Sequence, residues 1–190
     1  MPYFPLFLDL TAAPVLVVGG GAVALRKASV LLDFGAEVHA VAPSFAEGFD
    51  TLSVSRSVRG YHPSDLEGKR LVVAATDDPV LQREIAEDCK KRGIPVNVAD
   101  QPDAGTFSFP AVLRDGDVVV GISTGGKSPM LAKLLREELA DALPDSVGAL
   151  NEEMARRREE LQSEFPGTDA LSRQSRADAL RGIYEEHRRS

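Results

Sequence analysis

Apolar and polar positions along the first hundred residues follow two periods. The runs PVLVVG (14–19), EVHAVAP (37–43), LSVS (52–55), RLVVAAT (70–76) and IPVNVAD (94–100) are short and rich in β-branched residues. Between them, AVALRKASVLLDFG (22–35) and the stretch near 79–92 space their apolar residues as helices do. Strand, helix, strand in repetition predicts an α/β fold: a Rossmann-like parallel sheet with helices on both faces.

Beyond Asp100 the pattern changes. FSFPAVLRDGDVVVGIST holds two β-like runs joined by RDGD, which predicts a hairpin and not a crossover unit. Ser128 before Pro129 reads as an N-cap with proline at the first helical position, opening a helix whose Met130, Leu131, Leu134, Leu135 and Leu139 share one face. From Pro144 the chain reads as charged helix, its runs EEMARRREEL and ADALRGIYEEHRRS separated by FPGTD. A solvated face accounts for the arginines of this small helical C-terminal domain. The expected division is therefore 1–105, 106–143 and 144–190.

Composition narrows the class of partner. The formal net charge of -7 gives no electrostatic reason to expect nucleic acid or an anionic membrane, so a small molecule is the expected partner. Cys89 is the single cysteine, which excludes an internal disulfide framework and suits a reducing cytoplasm. The apolar start MPYFPLFLDL carries two prolines and no basic residue, a poor signal peptide, and no apolar run is long enough to span a bilayer. A cytoplasmic location is expected.

Two glycine loops compete for a nucleotide. VVGGGAVALRKA sets Gly19, Gly21 and Ala24 in the register G-x-G-x-x-A, directly after the first expected strand and opening the first expected helix. There, one glycine allows the tight turn, the second lets backbone approach a pyrophosphate, and the third small residue lets helix and strand pack closely. A merely structural turn is the alternative. The acidic residue that usually holds the ribose is missing, since the second strand ends in Pro43 and Ser44. That leaves NAD and NADP open; Ser44 can bond a ribose but cannot neutralise a phosphate, which leans to NAD.

The second loop, GISTGGKS (121–128), fits the phosphate-loop pattern letter for letter. Pro129 follows the Lys-Ser pair and has no N–H to offer a phosphate, and the 62 residues after Ser128 read as helices. The match is read as accidental. What remains is a glycine-rich turn from a strand into a helix, whose Ser123, Thr124 and Lys127 can line a pocket.

Asp100 ends the last parallel-type run, at the sheet edge where ligands bind in open α/β folds, and a carboxylate there can exchange protons beside a nicotinamide. The competing reading is that it caps the turn DQPDAG. Thr76 has similar geometry after the fourth run, with its hydroxyl near a cofactor, whereas Asp78 before Pro79 reads as an N-cap. His39, His62 and His187 are dispersed and match no metal-ligand spacing, so no bound metal is expected.

Together FPLFLDL, VVGGGAVALRKASVLL, VVAATDDP, VNVAD, FSFPAVLRDGD and STGGKSPMLAKLLREEL resemble the siroheme synthase family, in its precorrin-2 dehydrogenase module with sirohydrochlorin ferrochelatase activity. The resemblance runs in order from about Phe4 to about Leu143. It implies NAD-dependent oxidation of the tetrapyrrole precorrin-2 to sirohydrochlorin and, in bifunctional members, Fe2+ as a substrate inserted to give siroheme. The sequence does not separate Fe2+ from Co2+.

By the same resemblance Asp100 is the proton-transfer residue; Ala22, Val23, Pro43 and Ser44 line the NAD site beside Gly19, Gly21 and Thr76; and Asn97, Ser123, Thr124 and Gly125 are expected to contact substrate. The resemblance further implies a homodimer formed through the hairpin and following helix of 106–143. It also implies that methylation falls to another protein, because the chain leaves no room for the methyltransferase domain of larger members. A reading of a different class is a non-catalytic NAD(H)-sensing module whose helical tail binds a partner.

Overall fold

The computed structural model describes residues 3–187, and the chain divides into two compact units between Phe109 and Pro110. Met1, Pro2 and the end of the charged run ADALRGIYEEHRRS, residues 188–190, lie outside the described residues.

The first unit is a five-stranded parallel sheet in the order β3-β2-β1-β4-β5. Its strands are β1 (Pro14–Val18), β2 (Glu37–Ala42), β3 (Ser55–Val58), β4 (Leu71–Ala74) and β5 (Val96–Val98), with helices α1 (Ala22–Asp33) and α2 (Pro79–Arg92). Alternation along β1 sends Val15 and Val17 to one layer, with Ala24, Ala28 and Leu31 of α1. Leu16 and Val18 enter the other layer, with Ile85, Ala86 and Cys89 of α2. A strand buried on both faces needs apolar residues throughout, which is why β1 and β4 read as continuous valine-rich runs. Each fully buried valine or leucine contributes on the order of 2 kcal/mol, so these two strands anchor the unit.

The third expected run lies elsewhere than expected. LSVS (52–55) gives way to a strand at Ser55–Val58, after a 3-10 turn at Phe49–Thr51. β3 is an edge strand paired only with β2, and its residues are mostly exposed, so burial imposes no apolar pattern from which to read it. The order of strand addition reverses around β1, which pairs with β2 on one side and β4 on the other. A crevice at the carboxyl ends of these strands follows from that topology.

The second unit begins with an antiparallel hairpin, β6 (Ala111–Asp115) and β7 (Val118–Ile122). Its turn needs a left-handed residue, and Gly116 supplies φ +56°. Helices α3 (Pro129–Ala142), α4 (Val147–Glu164) and α5 (Ala170–His187) follow. Ser128 caps α3, its Oγ accepting from the Leu131 N–H at 3.2 Å. The Asp115 carboxylate accepts from the Gly148 N–H at 2.8 Å and so ties the hairpin to the start of α4. The break FPGTD is closed by Arg176, which donates to the carbonyls of Phe165 and Gly167.

Candidate active site

Gly19, at the end of β1, adopts φ +133°, and a Cβ placed there would lie 2.2 Å from the Ala75 carbonyl oxygen. Gly20 is equally confined: its Cβ would stand 1.9 Å from the Ser44 oxygen. Its own carbonyl accepts from the Ala46 N–H at 2.7 Å. These two glycines let the ends of β2 and β4 close around the first turn. Gly21 differs, because a Cβ there meets nothing within 4 Å. Gly21 is also the N-cap of α1, with no side-chain cap and no acidic residue in the first turn. The helix therefore presents backbone N–H groups and its positive end to open space, the arrangement that takes a pyrophosphate. Ala24, wholly buried, is the third small position, against the sheet.

That open space is a cavity of about 840 Å³ at the reversal point, whose walls include Gly19, Gly21, Ala22, Val23, Pro43 and Ser44. Thr76 and Asp100 line it too. The Thr76 hydroxyl accepts from the Asp78 N–H at 3.3 Å, and its carbonyl takes a hydrogen bond from the buried Gln82 amide. Asp78 is occupied structurally as the α2 cap, accepting from Val80 N at 2.8 Å and Leu81 N at 3.2 Å. Asp100 is exposed. Among the described residues no hydrogen bond occupies its carboxylate, so it does not cap the turn that follows; Gln101 instead reaches back to the Pro79 carbonyl.

Asn97 stands on β5 at 7% exposure, donating Nδ2 to the Phe107 carbonyl at 3.1 Å, while its Oδ1 is buried with no partner among the described residues. A buried acceptor left open costs on the order of 1–3 kcal/mol. Ser123, Thr124 and Gly125 belong to the second unit. The Thr124 hydroxyl donates to the Ser128 carbonyl and accepts from its N–H; the Ser123 hydroxyl accepts from Gly125 N; Gly125 has φ +63°. β7, which precedes this turn, pairs antiparallel with β6, and the Ser128 hydroxyl is spent on its own helix. A phosphate loop instead needs a parallel strand and a free hydroxyl for a metal ion, so the sequence match at GISTGGKS has no structural counterpart.

The family described as "Putative NAD(P)-binding" matches residues 6–111, and "Sirohaem biosynthesis protein central" matches 115–142. The siroheme synthase of Nitrosomonas eutropha is 40% identical over 170 residues, 87% of this chain and 36% of that one. That of Pseudomonas putida is 43% identical, over 87% of this chain and 37% of the relative. The chain belongs to the siroheme synthase family. It spans a little over a third of the length of these relatives. The solved structure of SirC, precorrin-2 dehydrogenase, has the same fold, with TM-score 0.66 and 23% identity over 95% of this chain and 100% of that one.

The G-x-G-x-x-A register points to Gly19 and Gly21 and passes over Gly20, whose constraint comes from the Ser44 carbonyl. It also passes over Lys27. That side chain, on α1, places its Nζ 4.1 Å from the centroid of the Phe109 ring. Burial pushes its ammonium down to about 8, Arg26 adding to the depression and Asp100 opposing it. The RK pair following the glycine loop is the only sequence signal for it.

Proposed function

We propose that the chain oxidises precorrin-2 to sirohydrochlorin with NAD in siroheme biosynthesis, and that Fe2+ is the substrate of a second step at the same site. One observation carries the reading: the nucleotide loop and an unengaged carboxylate, Asp100, line a single cavity. NAD, when bound, supplies the hydride acceptor. The open N–H groups at Gly21, Ala22 and Val23 would hold its pyrophosphate, and Ser44 its ribose. Oxidation of the macrocycle releases a hydride and a proton, and Asp100 is the base for the proton. Insertion of Fe2+ displaces two pyrrole protons, which the same carboxylate can take one at a time and pass to solvent. Asn97, Ser123, Thr124 and Gly125 are assigned to substrate contact.

A second copy of the chain completes the proposal. Pairing through 106–143 is supported by α3, whose Met130, Leu131, Leu134 and Leu139 are exposed. The helical domain 144–190 would then flank that interface. A cytoplasmic site of action accords with the free, buried thiol of Cys89.

The test is anaerobic incubation of the protein with precorrin-2 and NAD, following sirohydrochlorin absorbance, with Fe2+ added in a second stage. Asp100→Ala is expected to slow oxidation by roughly 10²–10⁴-fold while NAD binding persists. A wild-type protein that binds NAD and leaves precorrin-2 unoxidised would sink the reading.

A further inference from the structure

Oxidation of a tetrapyrrole bearing many carboxylates raises an electrostatic problem for this chain. Its net charge is -7, and the cavity wall carries Asp77, Asp78 and Asp100 with no lysine or arginine. One cation outside that lining acts on Asp100.

Three contacts place it. The Lys27 ammonium lies over the Phe109 ring, Phe109 packs against Phe107 with ring centroids 5.5 Å apart, and the Phe107 carbonyl fixes the amide of Asn97. Asn97 lies beside Val73 in register, and Val73 belongs to the layer that packs on α1. Lys27 and Asn97 thus gather around one aromatic pair on the α1 side of β5, and the charge of Asp100, two residues past the end of β5, acts on Lys27. The buried Asn97 Oδ1, without a partner among the described residues, leaves an acceptor in the same cluster for a donor such as a pyrrole N–H of the macrocycle.

Resting on the function proposed above, we propose that Lys27 is a substrate-positioning residue: its ammonium takes a carboxylate of the tetrapyrrole and holds the macrocycle against Asp100. A half-desolvated ammonium is well suited to this, because an ion pair strengthens as water is excluded. The ring face keeps Nζ in place without neutralising it, as a carboxylate partner would. The charged groups facing it are Arg26 on its own helix and Asp100 beyond β5. With its ammonium held near 8 by burial, Lys27 loses its charge, and the substrate its anchor, as pH rises through that value.

The experiment titrates sirohydrochlorin into the full-length protein, followed by absorbance, in wild type, Lys27→Met and Lys27→Arg, with NADH fluorescence binding as the control for folding. Lys27→Met, which keeps the stem over Phe109, is expected to weaken sirohydrochlorin binding by about tenfold or more, with NADH binding unchanged and Lys27→Arg restoring most of the affinity. Wild-type affinity should fall between pH 7 and 9, and that of Lys27→Arg should not. Equal sirohydrochlorin affinity in wild type and Lys27→Met, or a wild-type affinity flat across that range, overturns the anchor and leaves the dehydrogenase reading standing. Wild type that binds NADH and no sirohydrochlorin overturns both.

Discussion

Gly19 and Ala75 meet so closely that any side chain at Gly19 would strike the Ala75 carbonyl oxygen, at 2.2 Å from its Cβ. Two residues along, Gly21 opens onto empty space. The two glycines of one motif therefore answer to different demands, and substitution separates them. Gly19→Ala combines a left-handed φ with a backbone clash, and should cost about 3 kcal/mol or more in chemical denaturation. Gly21→Ala, at φ -83°, should change stability by less than about 1 kcal/mol. It should nonetheless abolish NADH binding by filling the space in front of the helix end. Equal stability losses in the two variants would contradict this account.

The cofactor preference follows from charge. Arg59, beside the cavity residues Gly60 and Tyr61, is held by Asp65 in a bidentate pair at 2.8 and 2.6 Å. The same guanidinium keeps the Asp65 carboxyl below the usual carboxylate range. With that cation engaged and none in the wall, a 2′-phosphate would meet no counter-charge. NADH should bind at least about tenfold more tightly than NADPH in a fluorescence titration. Ser44→Arg should narrow the gap.

Much of this was legible in the chain. β1 and β4 were readable because burial on both faces forces unbroken apolar runs, β2 from its buried Val38 and Ala40–Ala42 despite Glu37 and His39, and the first glycine turn because its spacing is local. The cap at Ser128 was readable for the same reason. β3 was not, since an edge strand of Ser-Arg-Ser-Val carries no burial pattern. Gly20 and Lys27 escaped because what constrains them, the Ser44 carbonyl and the Phe109 ring, is brought near only by the fold.

Lys27 also makes a prediction about stability. Its ammonium is depressed from 10.5 to about 8 in the folded chain, so between those values the unfolded chain holds the extra proton. Folding is therefore penalised in full below pH 8, and the penalty is relieved as pH rises from 8 toward 10.5. Solvent screening at this half-buried position and the ring contact reduce the effect to about 1 kcal/mol. Lys27→Met should then be more stable than wild type by that amount at pH 7, with the difference gone near pH 10.5, in urea denaturation at each pH. A variant less stable at pH 7 would mean that the ammonium is there for the fold and not for a ligand.

The last prediction concerns α3. Single exposed leucines are ordinary on any protein surface, and only a contiguous patch points to a partner. Met130, Leu131, Leu134 and Leu139 recur at helical spacing and are 63%, 47%, 48% and 41% exposed. A stripe of this kind is what a helix shows when its packing surface lies on another molecule. If that molecule is a second copy, the same stripe meets itself across a two-fold axis, and a like charge introduced once appears twice at the interface. Leu131→Glu with Leu134→Glu should convert a dimer to a monomer in sedimentation velocity, while NADH binding, which depends on the first unit, persists. A wild-type protein that sediments as a monomer at high micromolar concentration would remove the second copy as the occupant of this face.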